Sequence, residues 1–175
     1  MGMDNQNRRY IVNGPKTEQH ILLLAHGAGA PMDSPWMNDL CEKLTQQNIQ
    51  TARFEFPYMQ ERRSSGKKRP PNKKQVLLQT WLDAIEDHRD HKKVFIGGKS
   101  MGGRMASLIA DQVAVAGLVC LGFPFHAPGK PPKDRIDHLK TLNTKTLIVQ
   151  GERDSMGNKT EVESYELSKN ISISF

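Results

Sequence analysis

Short continuous apolar runs alternate along this chain with stretches whose apolar residues recur every three or four positions. Residues 21–25 (ILLLA) are the clearest run, and a strand covered on both faces reads this way. Asp33 or Ser34 then offers a helix N-cap, Pro35 suits the first turn, and Met37, Leu40, Cys41 and Leu44 follow at helical spacing. Residues 51–56 alternate as a strand with Ala52, Phe54 and Phe56 on one face, and Pro57 ends it. Residues 58–74 have no periodicity and hold a Ser-Ser-Gly and a Pro-Pro, which predicts a long loop. Residues 75–88 read as a helix with Leu78, Trp81, Leu82 and Ile85 on one side.

The same alternation continues to the last residue. A short strand at 94–96 leads through glycines into a helix carrying Met105, Leu108, Ile109 and Gln112. Residues 115–123 are the next strand and 124–132 a proline-rich loop. A helix at 135–142, a strand at 146–150, a polar helix at 160–167 and a strand from 171 complete the order. An edge strand at 9–13, ended by Gly14-Pro15, precedes the whole. Strands alternating with helices imply one α/β domain over residues 1–175, with a mostly parallel sheet flanked by helices on both faces. In such sheets ligands bind beyond the carboxyl ends of the strands. The turns after Ala25, Ile96, Phe123 and Gln150 are therefore the places to look for chemistry.

The turn after Ile96 reads GGKSMGGR, and residues 98–102 match G-x-S-x-G around Ser100. A serine on a sharp strand-to-helix turn needs small neighbours two positions away, and the turn brings the Met101 N–H to a helix start, where it can meet a developing oxyanion. Gly98-Lys99-Ser100 also resembles the end of a P-loop, but that motif needs glycine where Lys93 stands. After the first buried strand comes HGAGA at 26–30, where Ala28, or else Gly29, is the second oxyanion donor. His26 reads as a structural histidine that ties this loop by hydrogen bonds rather than as a general base. After the strand at 146–150, Asp154 is placed to orient a catalytic imidazole, and the order Ser100 then Asp154 fits Ser, Asp, His.

Composition changes this picture in two ways. Two scattered cysteines, Cys41 and Cys120, make no disulfide framework and read as buried free thiols of a reducing, cytoplasmic compartment. The N-terminus has no apolar signal region, and no run approaches membrane-spanning length. The net charge of +6 is local: Arg62, Arg63, Lys67, Lys68, Arg69, Lys73 and Lys74 carry it, and the remainder is near neutral. That run has three readings: a solvated loop, a lid that draws an anionic small-molecule substrate, or a nucleic-acid or membrane contact. The absence of interleaved aromatics counts against nucleic acid.

Together GGKSMGGRMAS, LLLAHGAG, RFEFPYM and LGFPFHAPGKP resemble the α/β-hydrolase superfamily, from residue 21 to residue 175. Within it they look like a branch of small bacterial hydrolases distantly related to dienelactone-hydrolase-like proteins. The branch is also similar to a human testis-expressed protein and to a subunit of a histone acetyltransferase complex. The resemblance implies Ser100 as nucleophile, Asp154 as acid, Met101 and Ala28 as oxyanion donors, and no metal or cofactor. His26, Tyr58 and His126 are the candidates for substrate contact, and His126 is also the strongest substitute for a general base. His88, His91 and His138 read as solvated.

Members of the superfamily carry the catalytic histidine after one further strand, followed by a final helix. The strand from 171 matches that strand, so the expectation is a minimal hydrolase fold, C-terminally incomplete, whose last strand offers an edge for a homodimer. Two functions follow: an esterase-like serine hydrolase acting on a small ester, thioester or lactone, or a binding or scaffold protein that keeps the fold without turnover.

Overall fold

The apolar runs line up in one seven-stranded sheet of order β1-β3-β2-β4-β5-β6-β7. The strands are β1 (Ile11–Asn13), β2 (His20–Ala25), β3 (Thr51–Phe54), β4 (Lys93–Lys99), β5 (Gly117–Leu121), β6 (Thr146–Val149) and β7 (Ile171–Ser174). The computed structural model behind this description covers residues 10–16 and 19–175, apart from the side chains of 133 and 134. Arg9, at the start of the predicted edge strand, lies outside the described residues. Only β1 runs antiparallel; every other pairing is parallel. The chain winds outward from β2 in both directions, so β2 and β4, side by side with Ala25 opposite Gly98, form the switch point of the sheet. The loops after these two strands must therefore meet beyond their carboxyl ends.

Among the described residues six α-helices join the strands: α1 (Pro35–Gln46), α2 (Pro57–Ser65), α3 (Lys74–Glu86), α4 (Met101–Ser107), α5 (Lys133–Ile136) and α6 (Lys159–Glu163). One face of the sheet carries the main core, in which Leu23, Phe54, Trp81, Ile96, Met105, Phe123 and Ile148 are buried. On the other face Leu24 packs with Met37 and Cys41 of α1. Leu147 and Val149 share that second face and are each 41% exposed, because α1 covers it only near β2 and β3. Ser34 caps α1, with Pro35 as the first helical residue. Both cysteines are free and buried.

Four elements differ from the pattern reading. The long loop predicted over 58–74 is instead α2 over its first half. Only Tyr58 and Met59 of that helix are buried, so it has almost no apolar stripe to betray it. Pro57 starts it, and Gly66, at φ 67°, closes it by returning its N–H to Arg62 O at 3.0 Å. α3 is rotated from the predicted face: Leu77, Thr80, Trp81 and Ala84 point inward and Leu82 is 37% exposed. The small Thr80 and Ala84 let α3 approach closely, and Thr80 Oγ1 donates to Val76 O, so its hydroxyl is satisfied in place. The helices predicted at 101–112 and 135–142 each break after α4 and α5 and finish as 3₁₀ turns, Ala110–Gln112 and Asp137–Lys140.

Candidate active site

Ser100 occupies the turn from β4 into α4 with φ 48° and ψ −114°. Such a backbone costs a non-glycine residue on the order of 1–3 kcal/mol unless its surroundings impose it. Here they do: the Ser100 N–H donates to Leu121 O at 2.9 Å, and its carbonyl accepts from Arg104 N–H at 3.0 Å. Gly98 and Gly102 make the turn sterically feasible. A Cβ on Gly98 would lie 2.4 Å from Ala25 O, and one on Gly102 would lie 2.6 Å from both Ala25 O and His26 O. Trp81 Nε1 donates to Gly102 O at 3.2 Å and pins the start of α4 to α3. Met101 is the first residue of α4, so its N–H has no carbonyl one turn back.

The loop after β2 runs beside this turn, where a Cβ on Gly27 would lie 3.7 Å from the Ser100 Cβ. Its carbonyls are drawn away one after another. His26 Nδ1 donates to Gly27 O at 2.7 Å, the Tyr58 hydroxyl to Ala28 O at 2.9 Å, and Arg62 Nη1 to Gly29 O at 3.3 Å. With the carbonyls held, the peptide planes are held, and the Ala28 N–H is fixed with them. His26 is fully buried, and its Nε2 accepts the Phe56 N–H at 3.2 Å. The ring is therefore the neutral Nδ1–H tautomer, and burial holds its pKa below the ordinary histidine value.

These contacts correct two sequence assignments. His26 cannot touch substrate, since both nitrogens are taken by backbone and none of the ring is exposed. Tyr58 is 2% exposed and its hydroxyl is spent on Ala28 O, so it supports the loop rather than contacting substrate. Burial pushes its phenol up to about 12.

The basic run is likewise redistributed. Arg63 pairs with buried Glu55 at 2.6 Å and with Asp33, and Glu55 also accepts the Met32 N–H at 3.1 Å. Arg69 pairs with Glu61 at 3.2 Å. Three arginines of the run thus have protein acceptors, and α2 is clamped onto the loop that borders Ser100.

Asp154 lies past β6, two strands over from Ser100. Its Oδ1 accepts the Met156 N–H at 2.8 Å, and its Oδ2 lies 3.6 Å from the point where a Cβ on Gly122 would sit. Gly122, at φ 64°, follows β5 and leaves the space in front of that second oxygen. Buried Gln150 ties the two loops together: its Oε1 accepts the Phe123 N–H at 2.8 Å, and its Nε2 donates to Gly157 O at 2.9 Å.

A cavity of about 310 Å³ opens at Ser100 and Met101, with Leu77, Met105, Pro124 and Met156 on its apolar side. None of the six histidines lines it. His126 Nδ1 contacts Ala127 O at 3.0 Å, and its Nε2 faces Glu161 at 3.5 Å. His138, predicted to be solvated, instead meets the buried Ser107 hydroxyl at 2.8 Å. Burial, helped by Arg104, lowers its pKa to about 4. Among the described residues no group of three His, Cys, Asp or Glu could hold a metal ion, and no helix is long and apolar enough to cross a membrane.

A family model described as an alpha/beta hydrolase domain matches residues 18–175. The chain belongs to that family. Solved structures agree on the fold of this hydrolase domain. Est1E from Butyrivibrio proteoclasticus, in a structure with ferulic acid bound, superposes with a TM-score of 0.71 at 15% identity, covering 99% of this chain and 88% of that one. A dienelactone hydrolase from Anabaena variabilis gives 0.70 at 22% identity, covering 95% and 78%. An alpha-beta serine hydrolase homologue from Coxiella burnetii gives 0.66 at 16% identity, covering 99% and 88%.

Within the hydrolase domain, sequence reasoning missed the supporting roles of Tyr58, Arg62 and Gln150. Tyr58 and Arg62 lie in a stretch without periodicity, and Gln150 reads as the polar end of a strand. It also missed that Arg104 lines the Ser100 cavity, for which its place one turn after Ser100 is the signal.

Proposed function

We propose that this hydrolase domain is an esterase-like serine hydrolase, cleaving a small ester, thioester or lactone through an acyl-enzyme on Ser100. The observation that carries the reading is the strained Ser100 backbone at a turn facing a cavity, beside a helix start and a tethered loop. In this reading Ser100 Oγ attacks the acyl carbonyl, and its proton passes to a base. The Met101 and Ala28 N–H groups receive the oxyanion, and the tetrahedral intermediate expels the alcohol or thiol, which takes up that proton. Water then releases the acid from Ser100 by the same steps. In this reading Asp154 is the acid that would orient an imidazole acting as that base, and none of the six histidines of this sequence stands at the cavity.

The absence of a histidine at the cavity favours a second reading, a binding or scaffold protein that keeps the fold without turnover. A fluorophosphonate probe separates the two. Fast labelling that Ser100→Ala abolishes, with turnover of a short-chain nitrophenyl ester, supports the hydrolase. A chain that is folded yet neither labels nor turns over that ester supports the scaffold.

A further inference from the structure

The walls of the Ser100 cavity carry three cationic side chains, Lys74, Arg104 and Arg135, and no acidic one. They come from three separate elements: Lys74 opens α3, Arg104 lies on α4 and Arg135 on α5. Arg104 lies in the first turn of α4, its N–H on the Ser100 carbonyl, and both residues line the cavity. Its Nε is buried and has no acceptor among the described residues, a state that folded proteins ordinarily avoid. Arg135 gives Nη1 to Pro124 O at a long 3.4 Å. Among the described residues neither arginine has a carboxylate partner, whereas Arg63 and Arg69 on α2 and the loop behind it each have one. Burial, and then the like charge of Arg135, makes the Arg104 guanidinium easier to deprotonate than usual. Two cations that repel each other at the same wall gain most from a shared anion.

We propose that Arg104 and Arg135, with Lys74 at the same cavity, form an anion subsite that binds a carboxylate on the substrate. The substrate class is then the half-ester or half-thioester of a dicarboxylic acid. Its free carboxylate sits in the guanidinium forks while its acyl carbon faces Ser100. Arginine suits this duty because its planar fork takes both oxygens of a carboxylate at once, while Lys74 adds an unoriented charge. The apolar side of the cavity, Leu77, Met105, Pro124 and Met156, is left for the carbon chain between the two ends. Asn72 also lines the cavity, and its Oδ1 accepts the Tyr58 N–H, which leaves its amide N–H groups for a ligand oxygen. Only the identity of the reacting group rests on Ser100 as nucleophile; anion binding does not require turnover.

The test is equilibrium binding by calorimetry to the 175-residue chain carrying Ser100→Ala, so that no ester is consumed. Monomethyl glutarate is compared with neutral dimethyl glutarate. Binding of the half-ester at least tenfold tighter is expected. Arg104→Gln and Arg135→Gln should each erode that preference by about tenfold, and Arg104→Lys should restore part of it. The preference should also weaken with added salt. Equal affinities, or a preference that survives both Gln variants, would overturn the subsite. Inorganic phosphate is the second ligand. Phosphate that binds while the half-ester does not would overturn the carboxylate assignment. Fluorophosphonate labelling of the unmodified serine reads the Ser100 assignment separately, so either idea can fail while the other stands.

Discussion

The Tyr58 hydroxyl donates to the carbonyl oxygen of Ala28 at 2.9 Å, across thirty residues of sequence. Ala28 is exposed while Tyr58 is buried, so the bond anchors a surface peptide to the core. That peptide carries the Gly29 N–H, the alternative oxyanion donor, and adjoins the Gly27–Ala28 peptide whose N–H is the one proposed for the oxyanion. Tyr58→Phe keeps the ring in its pocket and removes only that bond. Because the freed carbonyl can meet water, the stability loss should be near 1 kcal/mol. Fluorophosphonate labelling of Ser100 should slow about 3- to 30-fold, less than the 10²–10³ that losing a whole donor costs. A positioning role puts the loss in kinact with KI unchanged. A loss in KI alone would mean that Tyr58 shapes the pocket and not the donor.

Two buried histidines make the fold acid-sensitive. Burial lowers the pKa of His26 below 6.5, and burial with Arg104 lowers that of His138 to about 4. In the unfolded chain both take up protons near pH 6.5. As pH falls below that value the unfolded state binds more protons than the folded one, so stability is lost, and it returns in full above it. The Tm should therefore fall between pH 7.5 and pH 5, above the range where Asp33, Asp111 and Glu161, all lowered, begin to protonate. His138→Gln should flatten part of that fall, since an amide can still donate to Ser107 Oγ. A Tm that is flat from pH 7.5 to pH 5 in the parent chain would contradict this account.

Gln150 holds Phe123 on one side and Gly157 on the other, from a position 2% exposed. Gln150→Leu would leave the Phe123 N–H and the Gly157 carbonyl without their partner. Each such group costs about 1–3 kcal/mol when buried. Urea unfolding should show a loss of about 2–4 kcal/mol. Limited proteolysis should show faster cleavage within 151–158, the loop that carries Asp154.

What the sequence made legible was whatever depended on periodicity or on a local steric demand. The buried strands announce themselves as apolar runs, and the Ser100 turn announces itself because only glycine fits at 98 and 102. What stayed hidden depended on partners distant in sequence. α2 has two buried residues, is held by Arg62 and Arg63 to acceptors elsewhere and is tied through Glu61 to Arg69 of the loop behind it, so its charges read as a solvated loop. His138 reads as one polar residue among others until the fold brings Ser107 against it. Arg104 looked like an ordinary helix residue because a sequence does not show which cations lack a carboxylate.

The Glu55–Arg63 pair gives the sharpest energetic test of that clamp. The Glu55 carboxylate is 2% exposed and accepts both from Arg63 and from the Met32 N–H, whereas the Arg63 side chain is 41% exposed. Arg63 also pairs with the more exposed Asp33, and its guanidinium holds that carboxyl below the usual range. Arg63→Met strands a buried charge. A fully buried pair broken on one side loses 3–5 kcal/mol, and because Arg63 is part-solvated the loss here should be about 1–3 kcal/mol. Glu55→Gln keeps an acceptor for Met32 and removes the charge. Added to Arg63→Met it should recover stability, so the double variant should unfold at higher urea than Arg63→Met alone. The Asp33 contribution should be screened by 0.5 M salt, while the Glu55 coupling should persist. Urea midpoints for the four chains of this cycle, at low and at high salt, are the measurement. If Glu55→Gln further destabilises Arg63→Met, the Glu55 charge is balanced by something other than Arg63, and α2 is not held in the way its ion pairs indicate.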